Sequence, residues 1–308
     1  MAKFLRRLAI LLVPLGLLLA VCELLLAYRV PIIMRSKRLH LEDQVAEIEL
    51  LILGSSYSDN DINPHLFKAH AFNLAHASQS PYYDAALLDL YVGRMPKLKA
   101  VLLSVGYATL FAELTDSRDA WRRFFYYRFF DIPPPANRLA AAFDARRFSL
   151  IALLSSGSGT LYATLRNYGR PSTIDRLGWD DDGAVAGPGP IVGDDLVAFQ
   201  HGDMKEAHLQ SNLSYVERLI GQAQQHGAET ILVSTPFHET FVRAMRPWWY
   251  GRMQASLQRL CQTAGVKCLD YMRDTRFGVG DFRDGVHLTQ AGAAKFTRIL
   301  ARDLGMDR

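Results

Sequence analysis

The hydrophobic positions open as one long run and then fall into short blocks. Leu8 to Ala27 is apolar apart from Glu23, with Lys3, Arg6 and Arg7 just before it. A run of about 20 such residues is long enough to cross a bilayer as a helix. It continues past Cys22 into Glu-Leu-Leu-Leu-Ala-Tyr, and Val21 is bulky where a cleavage box needs a small residue. The pattern therefore predicts an uncleaved anchor rather than a removed leader. Basic residues flank both ends, so loop charge does not set the orientation. Long domains translocate largely regardless of charge, which predicts an N-terminus inside and the large domain outside.

Beyond the anchor, the blocks alternate between two periods. Short apolar runs at 47–54, 71–75, 100–105, 230–234 and 266–270 read as buried parallel strands. Helical spacing appears at 82–94, 211–226, 248–264 and 289–304; Gly227 and Gly265 follow two of these stretches in the expected stop position. Strands alternating with helices predict an α/β three-layer sandwich on a parallel sheet, with ligands at the carboxyl ends of the strands. The expected organisation is an anchor over 1–30, a linker over 31–46 and an α/β domain over 47–308.

Residues from about 110 to 200 break that rhythm and read as an insertion. Trp121 to Phe130 is densely aromatic and basic, Pro133–Pro135 follows, and 179–195 is rich in Gly, Asp and Pro. Two readings stay open for the aromatic stretch: a platform for a sugar polymer or an approach to the membrane, and a helix with one buried aromatic face.

Composition adds limits. The 308 residues carry a formal charge of +4, with clusters such as Arg35-Ser36-Lys37-Arg38. That excess and the absence of a recognition motif argue against nucleic acid. The three cysteines have no metal-ligand spacing, and no metal or cofactor is expected. Cys261 and Cys268 are seven apart, which allows a disulfide; two small buried residues are the plainer expectation.

Two segments carry candidate chemistry. In Gly54-Ser55-Ser56 a serine follows a strand-ending glycine, where its hydroxyl can stand at the top of the sheet. In Asp284-Gly-Val-His287 an aspartate lies three residues before a histidine, at the entry to a helix. Serine needs a base to act as a nucleophile at neutral pH, and an imidazole oriented by a carboxylate supplies one. The plainer reading of His287 is a polar residue at a helix start. Asp59 and Asp61 read as substrate contacts or as a solvated turn. His238 and His76 read as substrate contacts or as satisfied loop histidines.

These segments resemble the SGNH (GDSL-type) hydrolase superfamily, and most closely its membrane-anchored branch, which includes DltD and the alginate O-acetylation proteins. The likeness runs from about Leu51 to the C-terminus, with the insertion unmatched. It implies Ser56 as nucleophile, with Ser55 where the family has aspartate, and Asp284 and His287 as its partners. It also implies that Ser78 stands where a glycine N–H serves the oxyanion. The family's oxyanion asparagine is replaced by Ala108, with Asn73 or Gln79 as substitutes. The function so implied is O-acyl transfer or ester hydrolysis on a cell-envelope or exported polysaccharide. An acyl donor, a polysaccharide acceptor and a multi-pass membrane acyltransferase would be its partners. The implied location is a bacterial inner membrane, with the domain facing the periplasm or exterior. The missing asparagine leaves a second expectation: an inactive relative that binds polymer or scaffolds an export complex.

Overall fold

The computed structural model describes residues 1–29, 32–135, 166, 169–180 and 193–307. They fall into two compact units. One comprises Met1–Arg35 with Trp121–Ser172, the other Ser36–Ala120 with Thr173–Arg308.

The first unit contains α1 (Ala2–Arg29). Its segment Lys3–Leu26 is long and apolar enough to cross a membrane, a test that a signal sequence would also pass. The unit also contains α5 (Arg123–Phe130), the aromatic stretch, which forms a helix with Phe124, Tyr126, Phe129 and Phe130 buried.

The second unit is built on five parallel strands: β1 (Leu50–Leu53), β2 (Ala71–Asn73), β3 (Ala100–Ser104), β4 (Glu229–Ser234) and β5 (Val266–Asp270). Their order is β2-β1-β3-β4-β5. Register pairs Leu50 with both Ala71 and Ala100, and Leu102 with Ile231. Strands β1 and β3 are buried at every position, as continuous apolar runs require when helices cover both faces. Alternate residues Leu50, Ile52, Leu102, Ile231 and Val233 join one core with Phe296 and Leu300 of α10 (Gln290–Leu304). Helices α4 (Pro81–Tyr91) and α7 (Leu209–Gln225) pack together, with α7 against β4.

The chain leaves β1 toward β2 on one side and passes from β3 to β4 on the other. The crevice between the carboxyl ends of β1 and β3 is therefore the topological switch point, where sheets of this order bind ligands. Gly54 follows β1 there with φ +118°, and a Cβ on it would stand 2.4 Å from Ser104 Oγ. Only glycine turns the chain in that space.

Three sequence expectations change. The presumed linker holds α2 (Ile33–Gln44), with Met34, Lys37, Leu41 and Gln44 buried. Ser56 begins a short helix, α3 (Ser56–Asp61), so Asp59 and Asp61 do not lie on a solvated turn. Cys261 and Cys268 form a disulfide. It joins the end of α9 (Pro247–Leu260) to the edge strand β5. Of the Gly/Asp/Pro-rich stretch, 181–192 lies outside the described residues, as does the segment after Pro135 through 165.

Candidate active site

Ser56 is the first residue of α3, directly after the Gly54 turn. Its Oγ lies 2.8 Å from His287 Nε2, and His287 Nδ1 lies 2.8 Å from Asp284 Oδ2. The other Asp284 oxygen accepts the backbone N–H groups of Val286 and His287, each at 2.9 Å. Burial pushes the Asp284 carboxyl up, but these hydrogen bonds and the His287 charge outweigh it and bring it down to about 2. The carboxylate thus stays ionised and fixes Nδ1 as the protonated nitrogen. That leaves Nε2 to accept the Ser56 proton.

The loop carrying His287 is fastened to the helix carrying Ser56. Asp61 Oδ1 accepts the N–H of Leu288, next to His287, at 2.9 Å. Asp61 is fully buried, and burial lifts its carboxyl well above the usual range. Below α3, the buried Lys37 ammonium donates to Asp59 Oδ1 at 2.7 Å and to Ala75 O at 2.6 Å. Tyr57 places its ring against Gly106, where a Cβ would approach within 2.2 Å of a ring carbon. The same ring stacks on His287 with centroids 6.1 Å apart.

Around Ser56 lies a cleft of about 160 Å³ that includes Ser78, Gln79, Ala108, Glu113, Asp119, Phe199 and Gln200. Ser78 adopts φ +62°, a left-handed conformation unusual for a serine. Its Oγ donates to Asp119 Oδ2 at 2.6 Å. Gln79 Nε2 donates to Asp84 Oδ1 at 2.6 Å, and the same oxygen accepts Gly54 N–H at 2.7 Å. Burial pushes the Asp84 carboxyl up to about 7, against those two hydrogen bonds. Burial likewise lifts Glu113 to about 6.

Not every expected residue reaches the cleft. Asn73 is buried, with Nδ2 donating to Ser58 O and Ile62 O while Oδ1 accepts Ala75 N–H. It holds α3 in place and has no amide hydrogen left for an oxyanion. His238 caps α8 (Glu239–Ala244) and borders a separate cavity of about 330 Å³. His76 is buried, 3.8 Å from Asp59 Oδ2. The reading of the sequence missed Glu113, Asp119, Phe199 and Gln200. They reach the cleft from within the insertion, and no local motif marks them. Among the described residues no cluster of His, Cys, Asp or Glu could hold a metal ion.

No family model matches the chain, and no curated protein matches it. Among solved structures, it is similar to a protein provisionally described as a platelet activating factor from Streptococcus pneumonia. That match has 13% identity, covers 94% of this chain and 99% of that one, and has a TM-score of 0.44. A second similar structure is provisionally described as an acylhydrolase from Bacteroides fragilis, at 12% identity, 86% and 95% coverage and a TM-score of 0.40. Likeness of this degree leaves the chemistry to be argued from Ser56, His287 and Asp284 themselves.

Proposed function

We propose that the protein is a serine-dependent acyl-ester hydrolase or acyltransferase. The observation that carries this reading is the unbroken relay from Ser56 Oγ through the His287 ring to Asp284, at 2.8 Å for each contact. In the first half-reaction His287 takes the Ser56 proton as Oγ attacks the acyl carbonyl. The alcohol leaves with that proton, and an acyl-serine remains. In the second, water or an acceptor hydroxyl attacks the acyl-serine, with His287 as base again. The N–H groups of Ser56 and Ser78 are the proposed oxyanion donors. Backbone donors at these positions would make the family asparagine, replaced by Ala108, unnecessary.

Two observations support a site outside the cytosol: the apolar helix Lys3–Leu26 and the disulfide, a bond that persists in oxidising compartments. With the resemblance to membrane-anchored SGNH proteins, they motivate the narrower proposal. An exported or cell-envelope polysaccharide is the acceptor of an acyl group that a multi-pass membrane acyltransferase supplies or, in the hydrolytic direction, carries the O-acyl ester that is cleaved; the domain stands on the periplasmic face of an inner membrane.

The test is labelling with a fluorophosphonate. Wild type and Ser55→Ala should label, and Ser56→Ala should not. Failure of wild type to label would sink the nucleophile. Release of acetate from acetylated polysaccharide, against hydrolysis of p-nitrophenyl acetate alone, separates the polymer substrate from a general esterase.

A further inference from the structure

We propose that α5 lies in the membrane interface beside the end of α1, held there by an ion pair between Arg128 and Glu23. This goes beyond the catalytic reading and does not depend on it. Glu23 is the one acidic residue in the apolar run, and its carboxylate accepts from Arg128 Nη1. Both side chains are mostly covered, at 27% and 17% exposure for Arg128 and Glu23. An ionisable group in a membrane helix is costly unless it is partnered, and Arg128 is one residue that answers Glu23. The contact also argues that α1 stays with the mature chain, since cleavage would strip Arg128 of its carboxylate.

The contact also fixes depth. The membrane-length segment ends at Leu26, three residues after Glu23. At 1.5 Å per residue, Glu23 stands about 4–5 Å inside the end of that segment, at the edge of the hydrocarbon layer. From Lys3 to Val21 nearly every residue of α1 is exposed, whereas Cys22, Glu23 and Leu26 are covered. The helix tied to that level has the composition of an interfacial element. Trp121 and Phe125, both partly exposed, stand four residues apart with ring centroids 5.3 Å apart, and the buried Phe129 ring backs Phe125 at 6.2 Å. Arg122 lies 4.8 Å over the Trp121 ring, and Arg123 lies 4.8 Å over Phe124. Trp121 to Phe130 contains no acidic residue. Aromatic rings with one wet edge collect at membrane interfaces. The committed occupant is therefore a phospholipid surface. A sugar polymer would find the same rings, but nothing would then require their helix to be bonded to the anchor.

The experiment uses the full chain, Cys22→Ser, reconstituted in vesicles of phosphatidylcholine with phosphatidylglycerol. A nitroxide is attached in turn at Trp121→Cys, Phe125→Cys and, as a control, Arg218→Cys on α7. Collisions with oxygen and with a water-soluble nickel chelate report depth. Labels at 121 and 125 should favour oxygen, and the label at 218 should favour nickel. Nickel-favouring labels at 121 and 125 would overturn the proposal. So would immobilisation of those labels by soluble polysaccharide in the absence of lipid. Glu23→Gln and Arg128→Gln should each cost the labels depth, and the exchange Glu23→Arg with Arg128→Glu should restore it. Unchanged depth in both single variants would overturn the role of the ion pair. Fluorophosphonate labelling of the same samples reports the catalytic site separately, so either proposal can fail alone.

Discussion

Ser55 and Ser56 are adjacent, and the geometry separates them. Ser55 precedes α3 in an extended conformation with its Oγ buried and without a partner, while Ser56 meets the imidazole. In the sequence only register distinguished the two. Asp284 acts through the ring it holds, so Asp284→Asn should lower kcat by about 10⁴ with the fold intact. Ester turnover and a thermal melt check this together. Asp84 behaves differently, because its folded carboxyl is raised to about 7. Between the unfolded value and that one, the folded state holds a proton that the unfolded state has lost. Its contribution is therefore fully present in acid and is lost as pH rises through the range from about 4 to about 7. Melting temperature should fall over that range and fall less in Asp84→Asn; equal slopes would refute the assignment. Glu113 acts with the same sign.

Among the elements, α3 decides whether the relay closes. Three groups hold it: Asn73 from β2, Lys37 from α2, and the Asp61 bond to Leu288. Asp61→Ala removes the acceptor that fixes the His287 loop. A displacement of about 1 Å in such a contact can cost about 10² in rate, so kcat should drop by about that factor with KM little changed. Asp61→Asn keeps an acceptor oxygen and should stay near wild type. The strands and long helices were legible because they bury complete apolar runs or faces. The Asp-x-x-His segment was legible because its chemistry is local. Helix α2 was not, because its hidden stripe of Met34, Lys37, Leu41 and Gln44 contains a lysine and a glutamine, so the segment reads as polar. Asn73 looked like an oxyanion donor because nothing in its neighbourhood tells that its amide is spent on α3. The cleft residues of the insertion are set by contacts far apart in the chain.

At the scale of the whole molecule, the chain alternates between its two units rather than completing one first. It leaves the first unit after Arg35, returns at Trp121 and leaves again after Ser172. That return, Trp121 to Ser172, falls within the stretch of about 110–200 where the sequence rhythm breaks. The proposed oxidising compartment is tested on the sulfurs. Protein isolated without reductant should lose only the Cys22 thiol to a maleimide once denatured, and reduction should expose two more. Three reactive thiols from the outset would argue against an oxidising location.

The disulfide has a consequence for how the protein is made. Among the described residues strand β5 has a neighbour on one side only, so its outer row of N–H and C=O groups could template another chain. Cys268 lies within that strand and is tied to the end of α9. Until the bond closes, the last strand of the sheet is held by its pairing with β4 and lacks its tie to α9, with its outer rim open. A cell that produces this chain on the reducing side of the membrane should therefore accumulate aggregates, even if every residue of the active site is intact.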